Sequence, residues 1–214
     1  MTFLSNAPNC TPDDTDEQAL WADFKQGDNQ AFMTIYTRYC QTLYAYAYQF
    51  RPEEAYLKDV IQELFLHLKK NRETLGEVKS IKAYLFSTIR RRLLKENKKE
   101  RNLPFFSLSD HHKGFQITLS PEVLMIQEQT AQNRKNQLEN ALNKLTARQR
   151  EAILHFYYEE LSYEEVASVM GLRNVKSARK LIYRALDALK KEFSLLVKTV
   201  ISLFLSSCLW LCKK

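Results

Sequence analysis

The sequence predicts an all-α fold of two small helical domains joined by a flexible linker. Three observations point there. Glycine and proline are scarce, with 4 Gly and 5 Pro in 214 residues, whereas strand-rich folds need many turns. Helix formers (Leu, Ala, Glu, Lys, Gln and Arg) dominate the composition. Apolar residues recur at three- and four-residue spacing inside segments bounded by capping signals. A chain of this length holds one large domain or two of about 70–100 residues each.

Residues 1–17, with Pro8, Pro12 and small polar side chains, read as a leader. Thr15-Asp16-Glu17-Gln18 has the form of a capping box and predicts a first helix ending near Gly27. Asp28 is placed to cap a second, whose stripe runs Phe32, Ile35, Tyr36, Tyr39, Leu43, Ala47 and Phe50. Arg51-Pro52 interrupts it. A third helix is expected from about Pro52 to Lys70, with Val60, Ile61, Leu64, Phe65 and Leu68 on one face. The polar stretch Asn71–Ser80 reads as a loop. A fourth helix, Ile81 to Arg101, has the inner stripe Ile81, Tyr84, Leu85, Ile89 and Leu93. These helices make a first domain, 18–101.

Residues 102–120 lack sustained periodicity and read as the linker. Ser120-Pro121-Glu122 then predicts a helix start, running to about Leu145 and opening a second domain, 121–192. Thr146-Ala147-Arg148-Gln149 and Ser162-Tyr163-Glu164-Glu165 are two more capping boxes, and Asn174 is a cap after Gly171. Three helices in about 45 residues, the last two joined by a short glycine-containing turn, is a helix-turn-helix layout.

Charge sharpens this outline. The formal net charge is +7. Residues 1–23 carry five acidic side chains and no Lys or Arg, 86–101 carry seven basic against two acidic, and 171–191 seven against one. Two separate basic helices suggest two contacts with one long anion. In the last helix, Val175, Ala178, Ile182, Ala185 and Leu189 form an apolar stripe; Lys176, Arg179, Lys180, Tyr183 and Arg184 share the opposite face. A helix anchored on one side and cationic on the other suits the major groove, where Arg and Lys read guanine edges or hold phosphates.

The segments Leu145–Glu151, Leu161–Ala167, Met170–Leu172, Asn174–Ser177 and Tyr183–Leu186 resemble the C-terminal promoter-binding domain of bacterial sigma factors, a pattern shared in part with response-regulator output domains. Leu43-Tyr44, Asp59–Leu66 and Tyr84–Arg90 resemble the N-terminal conserved domain of the small, extracytoplasmic-function (ECF) sigma factors, of the type common in Bacteroidetes. The resemblance covers about 18–101 and 135–192. It implies a DNA-binding subunit, without a catalytic site or cofactor, that directs core RNA polymerase through its β′ and β subunits to promoter DNA. It also implies a membrane anti-sigma protein as partner. Homo-oligomers are not expected.

By the same resemblance, Asp59, Gln62 and Glu63 form the ridge that docks on the β′ coiled coil. The loop Asn71–Lys79 supplies a pocket for a base of the −10 element, and Arg90, Arg91, Lys95, Lys98 and Lys99 hold its phosphates. Tyr84 and Phe86 are candidates to stack on bases, Tyr84 more readily being core. Lys176, Ser177, Arg179, Lys180, Tyr183 and Arg184 face the −35 element. Alignment on Arg184-Ala185 stresses Arg179, Lys180, Tyr183 and Arg184, and alignment on Val175–Ser177 stresses the earlier turn. Many relatives carry Asn at the place of Arg91 and an acid at that of Lys95.

Other classes find little support. No phosphate-binding glycine loop, HExxH motif or partnered nucleophile is present, and the histidines (67, 111, 112, 155) lack companions at ligand spacing, so neither enzyme nor metal protein is expected. The alternative is a stand-alone helix-turn-helix (LuxR-like) regulator, which leaves the 90–101 basic run and the Asp59–Phe65 ridge unexplained. The start lacks the basic-then-apolar run of a signal peptide, and the four cysteines form no CxxC pair, both consistent with a cytoplasmic protein. The hydrophobic tail, 193–214, has an uncharged run of 14 residues from Thr199 to Cys212. That is short of the roughly 20 a bilayer span needs. The tail suits either a membrane-associated segment or a terminal helix packed on protein.

Overall fold

The computed structural model describes residues 14–101, Phe115 and 139–192. Helix α1 (Asp14–Gln26) is followed by α2 (Asn29–Tyr48), α3 (Glu54–Lys70), a single 3₁₀ turn (Arg72–Thr74) and α4 (Ile81–Arg101). Among the described residues there are no strands.

Local chemistry sets most of the boundaries. Gly27 ends α1 at φ +98°, and a Cβ there would lie 3.3 Å from the Arg72 guanidinium as well as being strained. The Asp28 carboxylate accepts from Gln30 N–H at 2.7 Å and caps α2. One expectation is corrected. Helix α1 already includes Asp14, so Thr15 lies inside the helix and does not cap it. Helix α3 begins at Glu54, two residues past the expected start near Pro52, with Glu53 extended before it.

The first core forms where the predicted stripes meet. Ile35, Leu43 and Ala47 of α2, Leu57, Leu64 and Leu68 of α3, and Leu85, Phe86, Ile89 and Leu93 of α4 are all buried. Each large side chain contributes about 1.5–3 kcal/mol by leaving water. Trp21 and Phe24 bring α1 into this core, and the Trp21 indole N–H donates to the Gly76 carbonyl at 3.0 Å. Buried Glu17 accepts from the Tyr39 hydroxyl and, at 3.0 Å, from the Ile81 N–H, so a carboxylate of α1 satisfies an orphan donor at the start of α4.

In the second part, residues 139–144 are helical and form α5. Helix α6 (Ala147–Ile153) runs into a π-helical turn (Leu154–Tyr158), followed by α7 (Tyr163–Val169) and α8, residues 175–192. Thr146 and Ser162 each form the complete reciprocal capping box. Gly171 turns the chain at φ +59°, and Asn174 accepts from the Ser177 N–H at 2.9 Å. Ala178, Ile182 and Ala185 pack α8 on Val166, Val169 and Met170 of the α7 segment.

The two parts pack together, with α4 against α7. Within the expected linker 102–120, the one described residue is Phe115. It is buried, its ring lies 5.2 Å from Phe50 and 5.8 Å from Tyr46, and its carbonyl accepts from Arg150 Nε at 2.7 Å. The expected helix start at Ser120–Glu122 and the hydrophobic tail lie outside the described residues.

Candidate nucleic-acid interface

The cationic face of α8 is built as its spacing requires. Ala178, Ile182 and Ala185 are fully buried, while Lys176, Arg179, Lys180, Tyr183 and Arg184 are exposed and Ser177 is half-buried beside its Asn174 cap. Tyr183 is 56% exposed. The Arg179 guanidinium lies 5.1 Å above the ring of Tyr163, the first residue of α7.

On α3, Asp59, Gln62 and Glu63 form an exposed edge opposite the buried stripe. Glu63 is ion-paired with Arg92 of α4. Leu66, also exposed, sits one turn on, so the edge is flanked by an apolar spot. In the loop after α3, two polar side chains bond to nearby backbone: Asn71 Nδ2 donates to the His67 carbonyl at 2.8 Å and the Thr74 hydroxyl to the Asn71 carbonyl at 2.9 Å. Phe86 is fully buried and Tyr84 half-buried 5.4 Å from Trp21. Phe86 therefore belongs to the core and presents no face for a base.

The basic run of α4 divides. Lys95 is exposed; the side chains of Lys98 and Lys99 lie outside the described residues. Arg91 is exposed yet bonds back to the Ser87 carbonyl and hydroxyl at 3.2 and 3.0 Å. Arg90 is turned into the contact between the two parts. Its Nε and Nη2 donate to the two oxygens of Glu151 at 2.6 and 3.0 Å, a bidentate fork. The Tyr46 hydroxyl donates to the same carboxylate at 2.6 Å. Arg90 is thus unavailable to a phosphate in this arrangement, because a carboxylate already fills its fork.

Glu151 anchors a wider clasp that sequence reasoning did not identify. Lys82 of α4 pairs with buried Glu159 at 3.0 Å and donates to its carbonyl at 2.6 Å; Lys79 reaches Glu164 at 3.2 Å on the surface. His155 is fully buried against Tyr46 and Phe86, its ring nitrogens without hydrogen-bond partners. Burial, then the charges of Arg90 and Lys82, hold it down at about 3, so it is neutral at pH 7. Burial and the Glu151 carboxylate push the Tyr46 hydroxyl well above its ordinary range. Burial opposes the Arg90 charge, but Glu151 outweighs it and the guanidinium stays charged. One signal was available in the sequence: Glu151 and His155 stand four apart, charged or polar in the otherwise apolar run Glu151–Phe156.

Comparison with known proteins gives two matches in chain order. Residues 35–102 match the family model for sigma-70 region 2, and residues 135–189 that for sigma-70, region 4. The chain belongs to the sigma-70 family.

A curated relative, the ECF RNA polymerase sigma factor SigL of Mycobacterium tuberculosis, is 26% identical over 161 residues, covering 74% of this chain and 88% of SigL. Among solved structures, CnrH in complex with the cytosolic domain of CnrY matches with a TM-score of 0.56 at 22% identity, covering 83% of this chain and 97% of CnrH. The sigma factor RpoE of Bartonella quintana, in complex with the anti-sigma factor NepR, matches with a TM-score of 0.55 at 19% identity, covering 77% and 98%. At these identities the two structures speak for the fold alone.

This sigma factor is therefore of the ECF type, a transcription initiation factor whose partners are core RNA polymerase and promoter DNA. The region 2 match sets aside the stand-alone regulator, which would need only the helix-turn-helix. The finer likeness to Bacteroidetes-type factors rests on sequence resemblance, since SigL is mycobacterial. Among the described residues no helix is long and apolar enough to cross a membrane, and no cluster of ligands suits a metal ion.

Proposed function

We propose that this sigma factor reads two promoter elements with two cationic faces: α8 of region 4 at the −35 element, and the second half of α4 in region 2 at the −10 element. The segregation of α8 into a buried apolar stripe and an exposed Lys176, Arg179, Lys180, Tyr183 and Arg184 face supports this most strongly. Ser177 stands beside that face. Asp59, Gln62 and Glu63 serve as the edge for the β′ subunit, where an exposed carboxylate meets basic helices. In region 2, Arg91, Lys95, Lys98 and Lys99 hold phosphates directly. Arg90 joins them only when Glu151 releases it. The domain limits are 18–101 and 121–192, with 102–120 between them and the tail at 193–214.

CnrH and RpoE are each seen with a protein partner, NepR being an anti-sigma factor. An anti-sigma partner, membrane-bound by analogy, is proposed for this chain too. The site of action is the cytoplasm, where the polymerase works.

Run-off transcription with reconstituted core polymerase on genomic fragments tests the reading. The full chain should yield discrete transcripts that core alone does not, and charge reversal of Asp59 together with Gln62→Lys should remove them. Transcripts that are identical with and without the protein would overturn it.

A further inference from the structure

Arg179 of the α8 reading face rests on an aromatic residue of another helix. Tyr163, at the first turn of α7, lies beneath the Arg179 guanidinium, whose Cζ is 5.1 Å from the ring centroid. The Tyr163 ring itself stacks on Phe156, with centroids 4.5 Å apart and planes inclined by 28°. Phe156 is half-buried in the π-helical turn, and Ser162, the residue before Tyr163, is locked by the capping box with Glu165. So Phe156, Tyr163 and Arg179 form a three-layer stack rooted in the domain and ending on the DNA face.

The consequence concerns selectivity. A free arginine samples many rotamers, and bidentate reading of guanine O6 and N7 requires the guanidinium in one plane and one place. An aromatic platform that holds it there removes part of the ordering cost before DNA arrives. Phosphate contacts do not need this, because a point charge suffices.

From this stack we infer that Tyr163 is a specificity-determining positioning residue, which aims Arg179 at base edges while itself lying outside the reading helix. This rests on the assignment of α8 to the −35 element.

The test is sequence enrichment. The full chain with core polymerase is presented with a duplex pool carrying a randomised upstream hexamer, and bound DNA is sequenced. Tyr163→Leu keeps an apolar side chain on Phe156 but removes the platform; Tyr163→Phe keeps the platform and loses only the hydroxyl. Tyr163→Leu should flatten base preference, by about five-fold, at the same hexamer positions that Arg179→Ala flattens. It should add nothing in the Arg179→Ala background, and the salt dependence of binding should stay as in the wild type. Tyr163→Phe should retain the preference assigned to Arg179.

If Tyr163→Leu weakens all positions equally, or weakens binding further when Arg179 is already alanine, Tyr163 is structural and the inference falls. If Arg179→Ala itself leaves every position unchanged, the assignment of α8 fails first. Thermal melting of Tyr163→Leu within a few degrees of the wild type keeps misfolding separate from either result.

Discussion

Replacing Glu151 with glutamine is expected to part region 2 from region 4. Glu151 is almost fully buried and accepts three hydrogen bonds, two from Arg90 and one from Tyr46. A buried ion pair adds little net stability over an apolar pair, but removing one partner strands a desolvated charge at a cost of about 3–5 kcal/mol. Here the charge need not stay stranded. Arg90 recovers its hydration if the domains separate, so the strain is relieved by opening and not by unfolding. Energy transfer between dyes at Asn29 and Ser168, both exposed, should fall in Glu151→Gln while helicity and region 2 stability hold. The double variant Arg90→Met/Glu151→Leu removes charge from both sides and should remain closed. Energy transfer unchanged in Glu151→Gln would show that the clasp does not hold the domains together.

Acid should act in the same direction. His155 is held near 3 in the closed form and returns to its ordinary 6.5 in water, so the open form binds the extra proton. The closed form therefore keeps its full advantage above pH 6.5 and loses about 1.4 kcal/mol per unit as pH falls below it. Arg90 and Lys82 of α4, Tyr46 of α2, and Glu151 and Glu159 are the charged or titratable groups around this ring. Only Glu159 opposes the trend, since burial raises its carboxyl in the closed form and favours closure in more acidic solution. The window of opening set by His155 thus runs from pH 6.5 down to about 3.

Charge reversal at Arg179 and Arg184 should abolish use of the upstream element. Each base or phosphate contact is worth about 1–3 kcal/mol, and reversal adds repulsion from the backbone, so binding should drop at least about 100-fold. The slope of log affinity against log salt should fall by about two charges. Stability should move little, because both side chains are exposed and the α8 anchor is Ala178, Ile182 and Ala185. Start-site choice that survives the double reversal would put the reading face elsewhere on region 4.

What the sequence revealed, and what it hid, divides by distance along the chain. Caps at Asp28, Thr146, Ser162 and Asn174 act within three residues, so their chemistry is local and legible. Stripes such as Leu57–Leu68 follow from helical spacing. Thr15 misled because Ser and Thr also fit inside a first turn, and the spacing of a box does not say that the box is formed. The π-helical turn at Leu154–Tyr158 has no sequence sign. The clasp joins residues 61 and 105 positions apart, Arg90–Glu151 and Tyr46–Glu151. No periodicity announces such a pairing. Arg90 was grouped with its solvent-facing neighbours because a run of arginines looks alike in sequence, whereas α4 turns each one 100° from the last.

The clasp and the promoter make incompatible demands. Domains of this size in contact have centres roughly 25–30 Å apart. Elements about 25 base pairs apart along duplex DNA are separated by on the order of 80 Å. On the proposed reading, both cationic faces serve one promoter only after Glu151 and Arg90 let go. The measurement is therefore the dye distance between Asn29 and Ser168, first in the free protein and then in the complex with core polymerase and a transcribed promoter. A short distance that becomes long on assembly is the predicted result. A distance that stays short in a transcribing complex would contradict the division of promoter reading between α4 and α8.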